Sequence, residues 1–146
     1  MHAGSELFKI SRRHDALAAF PANQPDVGQS LSNFFISEAW SSDLSSGVIM
    51  LGEHACFMHG LPHGECGLLT LIRCYDRSHH AKVLELFEQA STAPSRFCFS
   101  TNLLTPAAAQ QPVICMGESS GFDEGRHGQI SGFFLFPRFE NMRFAA

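Results

Sequence analysis

The chain has 146 residues, of which 45% are hydrophobic and 16% are charged, so it can build the core of one domain and does not resemble a disordered chain. The net charge of −4 argues against nucleic-acid binding as the main function. Fourteen phenylalanines, beside one tryptophan and one tyrosine, predict a core or a cavity lined by apolar rings.

No stretch approaches the run of about 20 apolar residues that a membrane-spanning helix needs. The first residues carry early charge and lack the apolar segment of a signal peptide, so we expect a cytoplasmic protein without direct membrane insertion. The odd number of cysteines favours reduced, partly buried thiols over a disulfide framework. These cysteines are Cys56, Cys66, Cys74, Cys98 and Cys115.

The chain begins with a predicted lead-in or linker, residues 1–30, whose last third is rich in turn-forming residues. Residues 15–20 could form one or two helical turns. The predicted domain spans residues 31–138. Its first feature is a β-hairpin over residues 40–51, with turn residues at 43–47 and a β-branched, apolar return strand.

Two short helices are predicted next. Residues 53–60 suit a helix that is closed by Gly60 and stopped by Pro62. Residues 65–72 suit a second helix, since their leucines and isoleucine are available for burial.

The main predicted helix covers residues 76–90. Asp76 is a good N-cap because its carboxylate can accept hydrogen bonds from the free amides of the first turn. The spacing of apolar residues places four of them on one face, with charged residues on the other. The four are Val83, Leu84, Phe87 and Ala90.

Three strand-like segments follow at residues 96–104, 113–118 and 129–136, separated by loops rich in proline, glycine and alanine. In the first of them Phe97, Phe99, Thr101 and Leu103 share one face. The order of two strands, helices and three strands predicts an α+β fold, in which a small antiparallel sheet packs its helices on one face.

Several short motifs occur in a fixed order between residues 36 and 136. They are the strand start at residues 40–44, Ser45-Ser46-Gly47, the segment 51–61, Arg73-Cys74-Tyr75-Asp76-Arg77, Asp123-Glu124-Gly125 and Ile130-Ser131-Gly132-Phe133. In these features the chain resembles the PAS domain family, in particular the subtype with a tryptophan in its first strand. The family usually has His-Pro-Asp-Asp-Arg before its long helix, and only Asp76 and Arg77 match that motif here.

The resemblance implies a five-stranded antiparallel sheet whose concave face encloses a pocket with the helices. It implies a non-catalytic input domain of signal transduction that binds a small molecule, dimerises, or does both. An attached effector would respond, most commonly a histidine kinase of a two-component system, a cyclic-dinucleotide enzyme or a DNA-binding domain. Residues 139–146 would begin a helical connector to that effector. The alternative is a pure protein–protein interaction module with a filled pocket.

The candidate pocket is lined by large apolar side chains on the predicted inward faces. They are Met58, Leu69, Leu84, Phe87, Phe97, Phe99, Met116, Phe134 and Phe136. The competing interpretation is that these side chains simply fill a close-packed core. A wall rich in phenylalanine and methionine would favour an apolar or flat aromatic ligand.

Potential metal ligands concentrate in one segment, as His54, Cys56, His59, His63 and Cys66. Gly60 and Pro62 interrupt the helix that would align them, and the spacing matches no closed zinc pattern. We therefore expect surface histidines beside a buried thiol and no metal site.

A haem could use a histidine of the main helix, but His79 and His80 fall in its first turn, where we expect solvated side chains. The flavin-binding motif Asn-Cys-Arg-Phe-Leu-Gln of light-sensing relatives is absent. Both cofactors are disfavoured, and the identity of any cofactor stays open.

No nucleophile elbow, cysteine-protease signature or phosphate-binding loop occurs. We therefore expect no catalytic residues, and keep a small-molecule enzyme on a similar cupped sheet only as a third alternative. Apolar residues on exposed strand faces need cover, so we also expect a homodimer that uses the outer sheet face and the N-terminal segment.

Overall fold

A computed structural model describes residues 8–11, 32–106, 110–122 and 128–138 of this chain. They form an α+β fold with seven strands in one sheet. The strands are β1 Phe8–Ser11, β2 Phe35–Asp43, β3 Ile49–Leu51, β4 Glu65–Cys66, β5 Ser95–Leu103, β6 Gln111–Ser119 and β7 Gln129–Pro137. Their spatial order is β1-β5-β6-β7-β2-β3-β4, and every neighbouring pair is antiparallel.

The expected number of five strands is therefore wrong, although the antiparallel sheet itself is confirmed. The two additional strands lie at the two edges, where β1 pairs with β5 and the two-residue β4 pairs with β3. An edge strand needs only one partner, so such short segments leave a weak sequence signal. The alternation of apolar and polar residues in Phe8-Lys9-Ile10-Ser11 is typical of a strand, but this segment was expected to belong to the lead-in.

The helices are α1 Glu53–Met58, α2 Leu68–Ile72 and α3 His80–Thr92, with a 3₁₀ turn at Arg77–His79 before α3. The prediction of a capped main helix is confirmed, because Asp76 Oδ1 accepts a hydrogen bond from the amide of Ser78 at 3.0 Å. α3 buries Val83, Leu86, Phe87 and Ala90, so the predicted apolar face is wrong at one position: Leu86 is buried, whereas Leu84 is only half-buried.

The first short helix is also confirmed, since α1 ends just before Gly60, which has a φ of 66°. The predicted helix over residues 65–72 is wrong in its first half. Glu65 and Cys66 pair with β3 instead, and the helix begins only after Gly67. These residues form backbone hydrogen bonds with the exposed edge of β3, and local propensities do not take a pairing partner into account.

The hairpin of β2 and β3 is confirmed by the pairing of Trp40 with Leu51. The predicted segments at residues 96–104, 113–118 and 129–136 correspond to β5, β6 and β7, each within two residues of the expected ends. Phe97, Phe99, Thr101 and Leu103 lie buried on one face of β5, as expected.

The sheet has two unlike faces. We call the face against which α1 and α3 pack the inner face, and the opposite one the outer face. Phe87 of α3 contacts the inner-face rings of Trp40, Phe97 and Phe99 at centroid distances of 5.1–6.4 Å. Because side chains alternate along a strand, residues next to these point outward.

Some sequence predictions fall on residues that lie outside the described ones. They concern residues 15–20, the linker at 21–30, the hairpin residues Asp123-Glu124-Gly125 and the connector at 139–146. The described helices include none with the length and apolar character required to cross a membrane.

Candidate docking site on the sheet

The inner face of the sheet is filled by aromatic rings. Five of the predicted pocket residues, Phe87, Phe97, Phe99, Phe134 and Phe136, are buried there with at most 4% of their surface exposed. The rings form one connected cluster, in which Trp40 bridges Phe87, Phe97 and Phe134 at centroid distances of 5.7–6.2 Å. Such spacings are those of packed aromatic pairs, and they match the core interpretation of these residues.

The other predicted pocket residues do not join this cluster as one wall. Met58 and Leu84 are half-buried against the core, whereas Leu69 is 60% exposed. Met116 lies on the outer face, since it neighbours the buried Cys115 in β6. Sequence periodicity thus predicted the burial of the phenylalanines and not which side of the sheet Met116 would face.

A buried polar pair sits beside the aromatic cluster. His59, which follows α1, places Nε2 2.9 Å from the hydroxyl oxygen of Tyr75 and Nδ1 2.6 Å from the carbonyl oxygen of Ala55. A carbonyl only accepts, so Nδ1 carries the proton and Nε2 accepts from the Tyr75 hydroxyl. Both ring nitrogens are thereby used.

Burial also controls the charge of this pair. It lowers the pKa of His59 from 6.5 to about 4, against smaller opposing effects of the Ala55 hydrogen bond and of Glu38. Burial raises the pKa of Tyr75 well above its ordinary value. Both side chains are neutral at physiological pH, and no buried side-chain nitrogen or oxygen among the described residues lacks a hydrogen-bond partner. The pair satisfies itself and offers no free group to a substrate.

Four of the five thiols are poor nucleophiles for the same reason. Burial raises the pKa of Cys66 and of Cys98, raises that of Cys74 to about 11, and raises that of Cys115 well above its usual range. A thiol with a raised pKa is protonated at neutral pH and reacts slowly. Cys98 is the most exposed of the five cysteines, on the outer face.

Four of the candidate metal and haem ligands have other contacts. The His54 ring packs edge-on against Phe136 at 5.0 Å. His59 is buried and paired with Tyr75, so the expectation of a surface histidine is wrong there. His79 and His80 are half-buried, where solvated side chains were expected. Their rings reach the Thr101 hydroxyl and the Tyr75 carbonyl at 2.8 Å. In the part of the chain that the structure describes, no three His, Cys, Asp or Glu side chains are grouped to hold a metal ion.

An apolar groove crosses the outer face. We call it the outer groove; it has a volume of about 820 Å³ and is lined by side chains from five neighbouring strands. Its outward-facing lining includes Ala39, Met50, Cys98, Met116 and Phe133. Phe133 is 50% exposed and Met50 is 45% exposed, which is unusual for side chains of this size in the middle of a sheet.

One ion pair borders the groove. Arg96 and Glu118 are cross-strand partners in β5 and β6, and their side chains approach to 3.5 Å. Arg96 is mostly covered, whereas Glu118 is 43% exposed. The border of the groove therefore carries one charge of each sign.

The floor of the groove contains two paired glycines, which have no side chains. Gly117 and Gly132 oppose each other in β6 and β7, and a Cβ on Gly132 would run into the carbonyl oxygen of Met116. A Cβ on Gly117 would lie 2.5 Å from the Phe97 ring, so Gly117 makes room for rings on the inner face, whereas Gly132 allows the close approach of the β6 backbone. Trp40 lies beneath them and donates its indole N–H to the Met116 carbonyl at 3.2 Å.

This arrangement can bind apolar surface. Exposed apolar residues were expected on the outer face; of the predicted pocket residues, Met116 lines the groove from that face and Phe97 reaches it from the inner face. Alternation in β7 was the available signal, since a buried Phe134 requires its neighbour Phe133 to face outward. No family model matches the chain, and a search of curated proteins returns no match either.

Proposed function

We propose that this chain is a non-catalytic input domain of the PAS-like kind, which regulates an attached effector by associating with a second copy through the outer groove. A histidine kinase is the effector class that the resemblance favours. The observation that carries the proposal is an open apolar groove on one face of a sheet whose other face is already filled.

The PAS-like part of the proposal rests on the order of the elements. The five middle strands, β5-β6-β7-β2-β3, comprise two strands before the helices and three after them, in one antiparallel sheet. The motif residue Trp40 lies at the centre of the inner face, and Asp76 caps the turn before α3. These features support the resemblance through topology and short motifs.

Association is supported by the character of the groove. Burying Phe133 and Met50 against another apolar surface would be favourable by about 25 cal/mol for each Å² removed from water. The inner face is a poorer binding site than the outer groove, because a molecule entering there would have to displace packed rings.

A path for the signal runs through β2. Its outward residues Ala39 and Ser41 line the groove, while Glu38 on the inner face accepts hydrogen bonds from the first amides of α1. A partner that binds one position of β2 better than another would shift α1 with it. The mechanism is a population shift between two arrangements of the strand and the helix.

A second candidate function is binding of a small apolar or aromatic ligand in the outer groove. The volume of about 820 Å³ falls in the range of about 300–1,000 Å³ that is typical of small-molecule sites. Here the ligand would contact Met116 and Phe133 rather than the buried phenylalanines.

Sedimentation velocity tests the association. We expect the wild-type protein to sediment as a dimer and Phe133→Glu as a monomer, because a carboxylate in the groove would lose its hydration on docking. The matched control is Phe122→Glu, since Phe122 is similarly exposed at 56% but lies away from the groove. A wild-type monomer at high protein concentration, or a dimer that survives Phe133→Glu, would contradict the proposal.

Native mass spectrometry of the purified protein separates the two candidates. A dimer without added mass supports association alone, and a retained small molecule that Phe133→Glu releases supports the ligand. An absorbance scan of the same sample detects haem or flavin directly.

A further inference from the structure

The edge of β5 that faces away from β6 can pair with one short strand, and we call this position the β5 edge slot. The lower part of this edge, Arg96–Phe99, pairs with β1, while its upper part is closed by the segment before α3. The amide of Asp76 donates to the carbonyl of Asn102 at 2.9 Å, and the amide of Leu104 donates to the carbonyl of Cys74 at 2.8 Å. These contacts close the upper end of the edge and leave the four positions that β1 occupies for an added strand.

β1 forms backbone hydrogen bonds with a neighbouring strand on one side only. Each of β5, β6, β7, β2 and β3 pairs with two neighbours, whereas β1 pairs with β5 alone and through four residues. A ladder of backbone hydrogen bonds carries no information about which copy of the chain supplies the strand. The segment Phe8–Ser11 of a second copy fits the slot in the same register.

The connection to β2 is long compared with the distance that it has to cover. Measured across the strands, β1 and β2 are four places apart in the sheet, or about 19 Å at the usual strand spacing; along the strands, Ser11 is level with Ser41, six residues or about 20 Å from the start of β2 at Phe35. Residues 12–31 separate Ser11 from the next described residue, and a chain of that length reaches up to about 65 Å when extended. Length alone therefore does not restrict β1 to its own sheet.

If two copies docked through their outer grooves, β2 of one copy would lie closer to the edge slot of the partner than to the edge slot of its own sheet. A two-fold axis along the strands at β7, the middle of the five strands that line the groove, places β2 of one copy opposite β6 of the other. With sheets about 10 Å apart, the partner's slot is two strands to the side of β2, or about 14 Å away across the strands. The corresponding distance within one copy is about 19 Å.

We propose that two associated copies exchange β1, so that Phe8–Ser11 of each copy fills the β5 edge slot of the other. This inference rests on the proposed association through the outer groove. Exchange adds two four-residue ladders to the dimer without requiring any new surface, which is the usual basis of domain swapping. It would make the dimer long-lived, because separation would first require both strands to detach.

Disulfide trapping tests the exchange in the full-length chain. Lys9 lies directly opposite Cys98 in the register, and Cα atoms of such antiparallel partners are about 4.5–5.5 Å apart, as a disulfide requires. Chains carrying Lys9→Cys and Cys98→Ser are co-expressed with differently tagged wild-type chains and then oxidised. Neither chain can join positions 9 and 98 within itself, so a covalent heterodimer through these positions forms only by exchange.

The control replaces Lys9→Cys by Lys82→Cys in the same Cys98→Ser background, because Lys82 is exposed on α3 and reports random collisions. We expect at least about tenfold more covalent heterodimer with Lys9→Cys than with Lys82→Cys, since a tethered strand has a millimolar effective concentration. A yield equal to the control would overturn the inference.

A chain with Lys9→Cys alone provides the second measurement. If it oxidises entirely to an internally linked monomer, the strand belongs to its own sheet and the exchange is wrong. The reduced proteins are sized separately by sedimentation, so a dimer without exchange leaves the proposed function standing while it rejects this inference.

Discussion

The two faces of the sheet differ although the same strands build them. Phe134 and Phe133 are adjacent in β7, yet the first is fully buried among rings and the second is 50% exposed over a groove. On the inner face, polar groups such as His59 and Tyr75 are paired and neutral. On the outer face, Arg96 and Glu118 form a partly solvated ion pair.

The inner face should therefore contribute mainly to the stability of the domain, and the outer face mainly to its association. Side chains on the inner face already have all their partners within the domain, so their removal should act on folding. Side chains on the outer face have few partners in the single chain, so their removal should act on association.

The largest contrast is between the two neighbouring phenylalanines. Phe134→Ala should lower the free energy of unfolding by about 3–5 kcal/mol, because it leaves a cavity among packed rings. Phe133→Ala should change it by less than about 0.5 kcal/mol and should instead weaken the dimer. Urea denaturation of both variants measures the first quantity, and equal losses of stability would remove the distinction between the faces.

The second contrast concerns pH. The pKa of His59 is about 4 in the folded protein and 6.5 when it is unfolded, so between these values only the unfolded chain gains the proton. Stability from this group is therefore complete above pH 6.5 and falls as the pH drops towards 4, by about 3 kcal/mol in total. His59→Gln, which can still bond Tyr75 and Ala55, should lose stability less steeply over this range. Parallel pH curves for the two proteins would contradict the assignment.

A third experiment tests the link between the inner face and α1. Glu38 accepts hydrogen bonds from the amides of His54 at 3.0 Å and Ala55 at 2.8 Å, and α1 has no side-chain cap of its own. Glu38→Gln replaces one acceptor by a donor and should cost about 1.5–3 kcal/mol in unfolding free energy. Glu53→Gln, in the exposed first turn of α1, should cost less than about 1 kcal/mol.

The smallest effect is expected for the outer-face ion pair. Arg96→Ala should reduce the free energy of unfolding by less than about 1 kcal/mol, because Glu118 remains hydrated and the pair is screened by salt. Lys82→Ala, which removes the exposed Lys82–Glu85 pair of α3, is the control. A loss at Arg96 as large as that for Phe134→Ala would mean that the outer face also holds the fold together.

Much of the fold followed from periodicity. The hydrophobic face of α3, the Asp76 cap and the alternation in β5 are local patterns, in which each residue's environment depends on neighbours a few positions away. The same patterns placed the buried phenylalanines correctly.

What the sequence did not reveal depends on contacts between distant segments. Glu38 caps a helix that begins 15 residues later, and His59 meets a tyrosine 16 residues away; neither pairing has a local signature. β4 exists only because the edge of β3 is within reach. The predicted pocket failed to come together for a related reason, since the volume left between sheet and helices depends on how all the rings pack at once.

The position of Trp40 has a practical consequence. It is the single tryptophan of the chain, its ring is buried, and its indole N–H is bonded to the backbone carbonyl of Met116, whose side chain faces the groove. Its fluorescence should respond when the groove is occupied. The protein thus carries an optical reporter of its own, with which titrations can follow docking without any attached dye.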